Sequence, residues 1–193
     1  MSESGQQSET GRPGRYQRTT GGLLAAMLVL LLAVAAFVIF RGVFRDTPRI
    51  EPEPVEYLPL VESLQDAGRE VVYPRELPEG WMVTTVVAEP GERPAWGLGI
   101  LTDDGRFVGL RQQDEDLEDL LAEHVDEETT EEEPLEGVGS VARTWEAYAD
   151  EGGDHAYAAE VRTDVGDETL LVYGSAPAED LRTLIESLTL DER

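Results

Sequence analysis

An uncharged apolar run of twenty residues, GGLLAAMLVLLLAVAAFVIF at positions 21–40, constrains this chain more than any other feature. As an α-helix it would be about 30 Å long, which matches the thickness of the hydrocarbon core of a bilayer. Arginines flank the run, with Arg12, Arg15 and Arg18 before it and Arg41, Arg45 and Arg49 after it. The run therefore predicts a single transmembrane helix at 21–40.

A cleaved signal peptide is the alternative, because Ala33-Val34-Ala35 has the small-x-small form of a cleavage site. Cleavage there would leave a new N-terminus beginning Ala-Phe-Val-Ile-Phe in water, so that an uncleaved anchor is favoured. The arginine count is equal on the two sides and does not set the orientation. The commoner layout is expected, with residues 1–20 as a short cytoplasmic tail and the C-terminal domain on the extracytoplasmic side of the cell membrane.

The charge of the chain is divided unevenly around this helix. Residues 1–50 carry six arginines against three acids, a charge of +3, so that the whole-chain charge of −26 leaves −29 on residues 51–193. Such a surface repels phosphate backbones, and nucleic-acid binding is not expected. Basic partners and divalent cations are compatible with it. The chain contains no cysteine, which excludes disulfides, thiolate metal sites and a thiol nucleophile.

The region after the helix divides into a tether and one domain. Residues 41–56 include Pro48, Pro52 and Pro54 among acids, a composition that favours an extended tether. Residues 57–193 have the length of one compact domain. Hydrophobic periodicity and turn signals predict a helix at 59–67, a strand at 81–88, a hairpin of 96–102 and 106–112, a helix at 114–125, strands at 138–149, 155–163 and 168–174, and a helix at 177–188. This order predicts an α+β fold, an antiparallel sheet of about six strands with helices packed on one face.

The Asp103-Asp104-Gly105 turn is the clearest hairpin signal. We expect one face of the hairpin to carry Trp96, Leu98, Ile100 and Phe107, and the other to carry Gly97, Gly99, Leu101, Val108 and Leu110. Both faces are apolar, which places the hairpin in the interior of the sheet. Gly97 and Gly99 leave a flat strip against which a helix is expected to pack, with a ligand groove as the alternative. The acidic residues 126–134 are expected to form a loop.

No coherent catalytic set emerges from the sequence. Residues 137–142 match G-x-G-x-x-A, but an acidic segment precedes them and a strand-like run follows, so that dinucleotide binding is not expected. Ser175 lacks the glycines of a nucleophile elbow and is expected to cap the last helix. His124 suits the C-terminus of a helix. Asp154 precedes His155, a pair that could orient an imidazole as a general base, although charged turns beside strands are common.

Acidic clusters are the remaining candidates for chemistry. Asp114, Asp116, Glu118 and Asp119 resemble part of a calcium loop, but Asp119 stands where that loop needs glycine. The acidic turns at 150–154 and 164–167 need no ion, and neither a metal site nor a cofactor is expected. The aromatic residues on predicted strands are expected in the core: Trp81, Trp96, Trp145, Tyr148, Tyr157 and Tyr173.

An ordered set of short motifs resembles an actinobacterial family of small single-pass membrane proteins that is known only as a domain of unknown function. The motifs are Gly14-Arg15-Tyr16, Tyr73-Pro74, Leu77-Pro78, Gly80-Trp81, Arg93-Pro94-Ala95-Trp96-Gly97, residues 102–110, His155-Ala156-Tyr157 and Tyr173-Gly174-Ser175-Ala176. The resemblance covers nearly the whole chain. It implies a membrane anchor and an envelope-facing domain, and it implies no activity and no catalytic residues.

These observations favour a non-enzymatic domain, tethered to the membrane, that binds or scaffolds an unknown envelope protein or ligand. Two alternatives stay open. One is an envelope hydrolase that uses carboxylates, or His155 with Asp154. The other is a cation-responsive sensor domain.

Overall fold

The computed structural model describes residues 24, 27–35, 37, 52–91 and 93–191. The chain divides into two units, Met1–Ile50 and Glu51–Arg193. In the first unit the described residues are helical and their side chains are exposed. None of the helices formed by the described residues is long and apolar enough to cross a membrane. The predicted helix at 21–40 lies partly outside the described residues, as does the predicted tether at 41–56, and the predicted tail at 1–20 lies wholly outside them.

The second unit is built on one large antiparallel sheet. Its elements are α1 (Leu58–Asp66), β1 (Tyr73–Pro74), β2 (Met82–Glu89), β3 (Ala95–Leu101), β4 (Phe107–Gln113), α2 (Leu117–His124), β5 (Thr129–Glu136), β6 (Thr144–Asp150), β7 (His155–Thr163), β8 (Gly166–Gly174), α3 (Ala178–Ser187) and β9 (Leu188–Thr189). Seven strands pair in the order β2-β3-β4-β8-β7-β6-β5, and β1 pairs with β9 in a separate two-stranded sheet. The predicted α+β class is confirmed, with seven strands in the main sheet where about six were expected.

Helix α1 begins and ends close to the positions that its proline and glycine predict. Pro59 lies in the first turn, where its missing N–H breaks no helical hydrogen bond. Gly68 follows the helix with a φ of +80°, a conformation that glycine adopts without strain. The next N–H, that of Arg69, donates to the carbonyl oxygen of Leu64 at 2.9 Å and closes the C-terminal turn.

Helices pack on both faces of the sheet, and the expectation of one covered face is wrong. Helices α1 and α3 contribute Val61, Leu181 and Leu184 to the main core, on what we call the inner face. On the opposite, outer face, Leu120 and Leu121 of α2 pack against a smaller cluster formed by Ala156, Ala158 and Leu171. Burying each leucine stabilises the fold by about 1.5–3 kcal/mol. The amphipathic pattern of α2 predicts its buried stripe but not the face that receives it.

The predicted hairpin of β3 and β4 is present, but the residues of β4 lie on the opposite faces from those predicted. Leu101 pairs with Phe107 and Ile100 with Val108. Because directly opposed residues share a face, Val108 and Leu110 lie with Trp96 on the inner face, and Phe107 lies on the outer face with the glycines. Among the residues that the structure describes, no helix atom is one of the closest neighbours of Gly99. A Cβ built on it would lie 3.2 Å from Cβ of Thr85 and 3.4 Å from the Phe107 ring, so that side chains of the same sheet cover the strip.

The acidic segment predicted as a loop at 126–134 contains most of strand β5. Thr129–Glu136 pairs with β6 and forms one edge of the sheet, with an irregularity in register between Glu132 and Leu135. Glutamate has a low intrinsic preference for strands, and the pairing with β6 overrides it. The strand predicted to begin at 138 begins instead at Thr144, because residues 137–143 form the connection between β5 and β6.

Candidate functional site

The sheet opens into a fork between β6 and β7. The ladder between these strands runs from the pair Ala149 and His155 to the pair Glu146 and Ala158, and it ends there. Strand β6 nevertheless stays paired with β5 as far as Thr144, and β7 stays paired with β8 up to its last residue. The two strands therefore separate beyond Ala158 while each remains bound to its other neighbour.

The fork leaves backbone groups of β7 without a strand partner. Thr163 and Gly166 flank a two-residue turn and form its hydrogen-bonded closing pair. Successive residues direct their backbone N–H and C=O groups to opposite sides of a strand. The backbone groups of Glu160 and Arg162 therefore point away from β8, on the same side as those of Ala158, which bond to β6. Among the described residues, no strand pairs with Glu160 or Arg162 on that side.

The facing end of β6 also directs backbone groups into the fork. The carbonyl oxygen of Arg143 accepts a hydrogen bond from the N–H of Gly137 at 2.8 Å, on the β5 side. By the same alternation, Thr144 directs its N–H and C=O towards β7. Both walls of the fork therefore present backbone donors and acceptors to the space between them.

A cavity of about 620 Å³ occupies the outer-face side of this fork. Residues 115–117 at the start of α2 form one wall, and residues 141–144 form the other. The floor is the sheet itself, through Glu146 of β6, residues 158–160 of β7 and Thr169 of β8. We call this space the β6–β7 cleft.

Hydrogen bonds fix both walls of the β6–β7 cleft. The hydroxyl of Thr169 donates to the backbone oxygen of Glu115 at 2.7 Å, which holds the start of α2 against the sheet. On the other side, the hydroxyl of Ser140 donates to the backbone oxygen of Leu188 at 3.1 Å. A Cβ at Gly139 would lie 2.6 Å from the backbone oxygen of Ile185, so that the connection sits directly on α3. The fork is held open because its two walls are attached to different elements.

The side chains around the cleft are mainly acidic. Its lining includes one basic side chain, that of Arg143, and four acidic ones: Glu115, Asp116, Glu146 and Glu160. Tyr148, on the same face of β6, donates its hydroxyl proton to the Glu146 carboxylate at 3.0 Å. Burial and this carboxylate raise the pKa of Tyr148 to about 12, so that the hydroxyl stays a donor at neutral pH. The cleft is suited to cationic groups and to hydrogen-bonding backbone.

His155 lies at the opposite end of β7 from the cleft. Its Nδ1 is buried and has no hydrogen-bond partner within the described part of the chain, and the Oε2 atom of Glu132 lies 4.0 Å away. The neighbouring Asp154 takes part in the turn instead, with its N–H donating to Oδ1 of Asp150 at 2.7 Å. The sequence pair Asp154 and His155 is therefore separate from the cleft and its carboxylates.

His124 ends α2 as predicted, and its ring stacks on Tyr173 at a centroid distance of 5.1 Å. Ser175 does not cap α3, contrary to prediction. Pro177 holds the N-cap position, and Oγ of Ser175 accepts a hydrogen bond from the N–H of Phe107 at 3.4 Å.

The other sequence candidates are dispersed. The G-x-G-x-x-A residues lie in the connection between β5 and β6, so that the next element after them is a strand and not the helix that the dinucleotide motif requires. In the part of the chain that the structure describes, no group of three or more histidine or acidic side chains converges as metal ligands would. The expected burial of the aromatic residues is confirmed for Trp96, Trp145 and Tyr157, which lie in the main core, and Trp81, Tyr148 and Tyr173 are partly buried against the two clusters.

Sequence reasoning missed the cleft as a site, although Asp116 of the calcium-like cluster and residues 141–142 of the G-x-G-x-x-A match line it. Glu146 and Glu160 each stand between two apolar residues in the strand segments TWEAYAD and HAYAAEVRT, and alternation places each of them on the outer face. That signal marks a solvated face. It does not reveal that the two strands separate, because the separation depends on where residues 137–143 are anchored.

The fold and the site define an α+β domain with an open cleft between two strands of its sheet. A profile of the family described as "Protein of unknown function (DUF4245)" matches residues 15–188, and the chain belongs to this family. No curated protein matches the chain significantly.

Two solved structures are similar over part of the chain. One is the complex of MucA and MucB from Pseudomonas aeruginosa, at 17% identity and a TM-score of 0.36, covering 62% of this chain and 35% of that chain. The other is MucB in complex with MucA(peri), at 15% identity and a TM-score of 0.37, covering 62% of this chain and 36% of that chain. This chain therefore spans little more than a third of the length of those chains.

Proposed function

We propose that this protein is a membrane-anchored, non-enzymatic binding domain that holds a partner at the cell envelope in the β6–β7 cleft. The observation that carries the proposal is the fork itself. A sheet normally pairs its interior strands along their length, because an unpaired backbone group that is shielded from water is costly. Here, among the described residues, both strands stay paired on their outer sides and separate at the cleft, which provides a concave surface with backbone donors and acceptors that no strand pairs.

The anchor is proposed from the apolar run at 21–40. Its described members include Leu28, Leu30 and Leu31, helical residues whose side chains are 61–65% exposed. A helix with large aliphatic side chains exposed along it needs an apolar environment, and a bilayer supplies one. In this proposal residues 1–20 lie in the cytoplasm, residues 41–56 form the tether, and residues 57–193 form the extracytoplasmic domain.

The anchor and its orientation are tested on the full chain in native membranes. Alkaline carbonate should leave the chain in the membrane fraction. Protease added outside spheroplasts should digest residues 57–193 and spare an epitope placed on the tail. Release by carbonate contradicts the anchor, and an epitope digested from outside contradicts the orientation.

The binding role is tested by site-specific photo-crosslinking from the cleft in the same membranes. A photoreactive residue at position 160 should give one discrete adduct, because that side chain lines the cleft. The same residue at position 127, in the exposed segment before β5, is the matched control. Equal adducts from positions 160 and 127, or none from 160, contradict the proposal.

A further inference from the structure

We propose that the partner enters the β6–β7 cleft as an extended, basic polypeptide segment and adds to β7 as a β-strand. This inference rests on the proposed binding function and specifies the class of partner. Its basis is the combination of free strand backbone, acidic side chains on one face and small apolar side chains on the other, all within one cleft.

The backbone of β7 provides the first part of the site. Glu160 and Arg162 each direct one N–H and one C=O into the fork, and neither is paired with a strand among the described residues there. Thr144 directs the same two groups from the opposite wall. An incoming strand of a few residues would satisfy the groups of β7, in the way that peptides add to exposed sheet edges.

The side chains around the fork determine which sequence fits. On the outer face an inserted strand would lie beside Glu146, Glu160 and Asp116. On the inner face it would meet Val141 and Ala142, which pack against the main core. Since alternate side chains of a strand point to opposite faces, the favoured segment alternates basic residues with small apolar ones.

The fork cannot close on itself without breaking existing contacts. The start of β6 is held towards β5 by the hydrogen bond from Gly137 to Arg143 at 2.8 Å. The connection before it is fixed to β9 by the hydrogen bond from Ser140 to Leu188 at 3.1 Å. The gap is therefore formed before a partner arrives, which reduces the ordering cost of strand addition.

The probe is a synthetic ten-residue peptide in which arginine alternates with valine, with blocked ends and a fluorophore. Its anisotropy is measured with the full chain in detergent micelles. We expect saturable binding that weakens with salt, because exposed charges are screened. A peptide with glutamate in place of arginine should not bind. In a third peptide the backbone amide of every arginine is N-methylated, and in a fourth that of every valine. Alternate amides of a strand point to opposite sides, so that one of these two peptides loses the hydrogen bonds to β7 and should bind about ten-fold more weakly.

The matching protein variant is Glu160→Pro. It removes an N–H that points into the fork and leaves the bonds between β7 and β8 in place, because Glu160 makes none of them. Glu160→Ala removes the same carboxylate and keeps the N–H. We expect Glu160→Pro to bind the arginine peptide about ten-fold more weakly than Glu160→Ala does. Thr144→Pro, on the other wall, provides a second variant should Glu160→Pro fail to fold.

Two results overturn strand addition. One is equal binding of both N-methylated peptides and the parent peptide, which shows attraction by charge alone. The other is equal binding by the proline and alanine variants at unchanged thermal midpoints. If the arginine peptide does not bind while the photo-crosslink from position 160 forms, the mode of binding is wrong and the binding function stands. If both fail, both proposals are wrong.

Discussion

Arg69 and Glu168, which are 99 positions apart in the sequence, form a buried ion pair in which Nη2 donates to Oε1 at 3.0 Å. The side chains are 12% and 1% exposed. The amide of Gln112 donates to the same carboxylate at 2.7 Å, and its oxygen accepts a hydrogen bond from the N–H of Val72 at 2.7 Å. This network joins the segment after α1 to strands β4 and β8, and it gives that segment, which has little regular structure, a fixed position.

The substitution Glu168→Gln is expected to destabilise the domain by about 3–5 kcal/mol, because it leaves the guanidinium of Arg69 buried without its counter-charge. The measurement is the free energy of unfolding from chemical denaturation. Asp167→Asn is the matched control, since Asp167 pairs with Arg162 at the surface of the same strand pair. Surface pairs are screened by solvent, and we expect no measurable change there. Equal effects of the two substitutions would show that the buried network has no special role.

Gly109→Ala is expected to destabilise the domain by about 1–3 kcal/mol through overpacking. A Cβ at this position would lie 2.5 Å from Cζ of Tyr173, whose ring rests on the glycine. The free energy of unfolding is measured in a double-mutant cycle with Tyr173→Ala. If the clash is the cause, Gly109→Ala costs much less in the Tyr173→Ala background, whereas an unchanged cost assigns the loss to the backbone.

The contribution of His124 to stability should be lost as the pH drops from 8 to 5. Burial is the main cause that lowers the pKa of His124, and Arg111 lowers it further, whereas Glu123 opposes the shift. The folded pKa thus lies below the unfolded value of about 6.5. The unfolded state then binds more protons in this window, so that the contribution is complete above the unfolded pKa and is lost towards the folded pKa.

The check is the thermal midpoint between pH 8 and pH 5 for the natural chain and for His124→Phe, which keeps a ring to stack on Tyr173. The carboxylates of the chain affect both proteins alike, so that the difference between them reports on His124. The midpoint of the variant should fall less on acidification. Parallel curves would show that protonation of His124 does not oppose folding.

The parts of the fold that depend on local chemistry are the parts that sequence reasoning predicts. Pro59 and Gly68 bound α1, and Gly105 adopts a φ of +79° in the predicted turn between β3 and β4. These residues act through their own backbone preferences. The predicted faces of β4 are wrong although the predicted strands, 96–102 and 106–112, imply the observed pairing of Leu101 with Phe107. Directly opposed residues share a face, so that the error lies in the assignment of the β4 side chains to faces and not in the turn.

The cleft could not be predicted because it depends on contacts between distant parts of the chain. The separation of β6 from β7 follows from the attachment of Ser140 to Leu188, 48 positions away. Likewise, the apolar stripe of α2 indicates that Leu120 and Leu121 are buried but not that they lie against the face opposite α3. Periodicity reports which side of an element is covered, and only the three-dimensional arrangement determines what covers it.

Replacing Glu131, Glu132 and Glu133 of β5 with threonine is expected to make the domain self-associate. β5 is the last strand in the order of the main sheet, so that no described strand pairs with its outer side, and its glutamates and Pro134 discourage pairing between copies. Threonine favours strands and removes the charge repulsion. The measurement is sedimentation velocity of the full chain in detergent over a range of concentrations. Replacing Asp126, Glu127 and Glu128 with threonine removes the same charge from the preceding bend and is the control. If both variants associate equally, net charge rather than the edge of β5 keeps the copies apart.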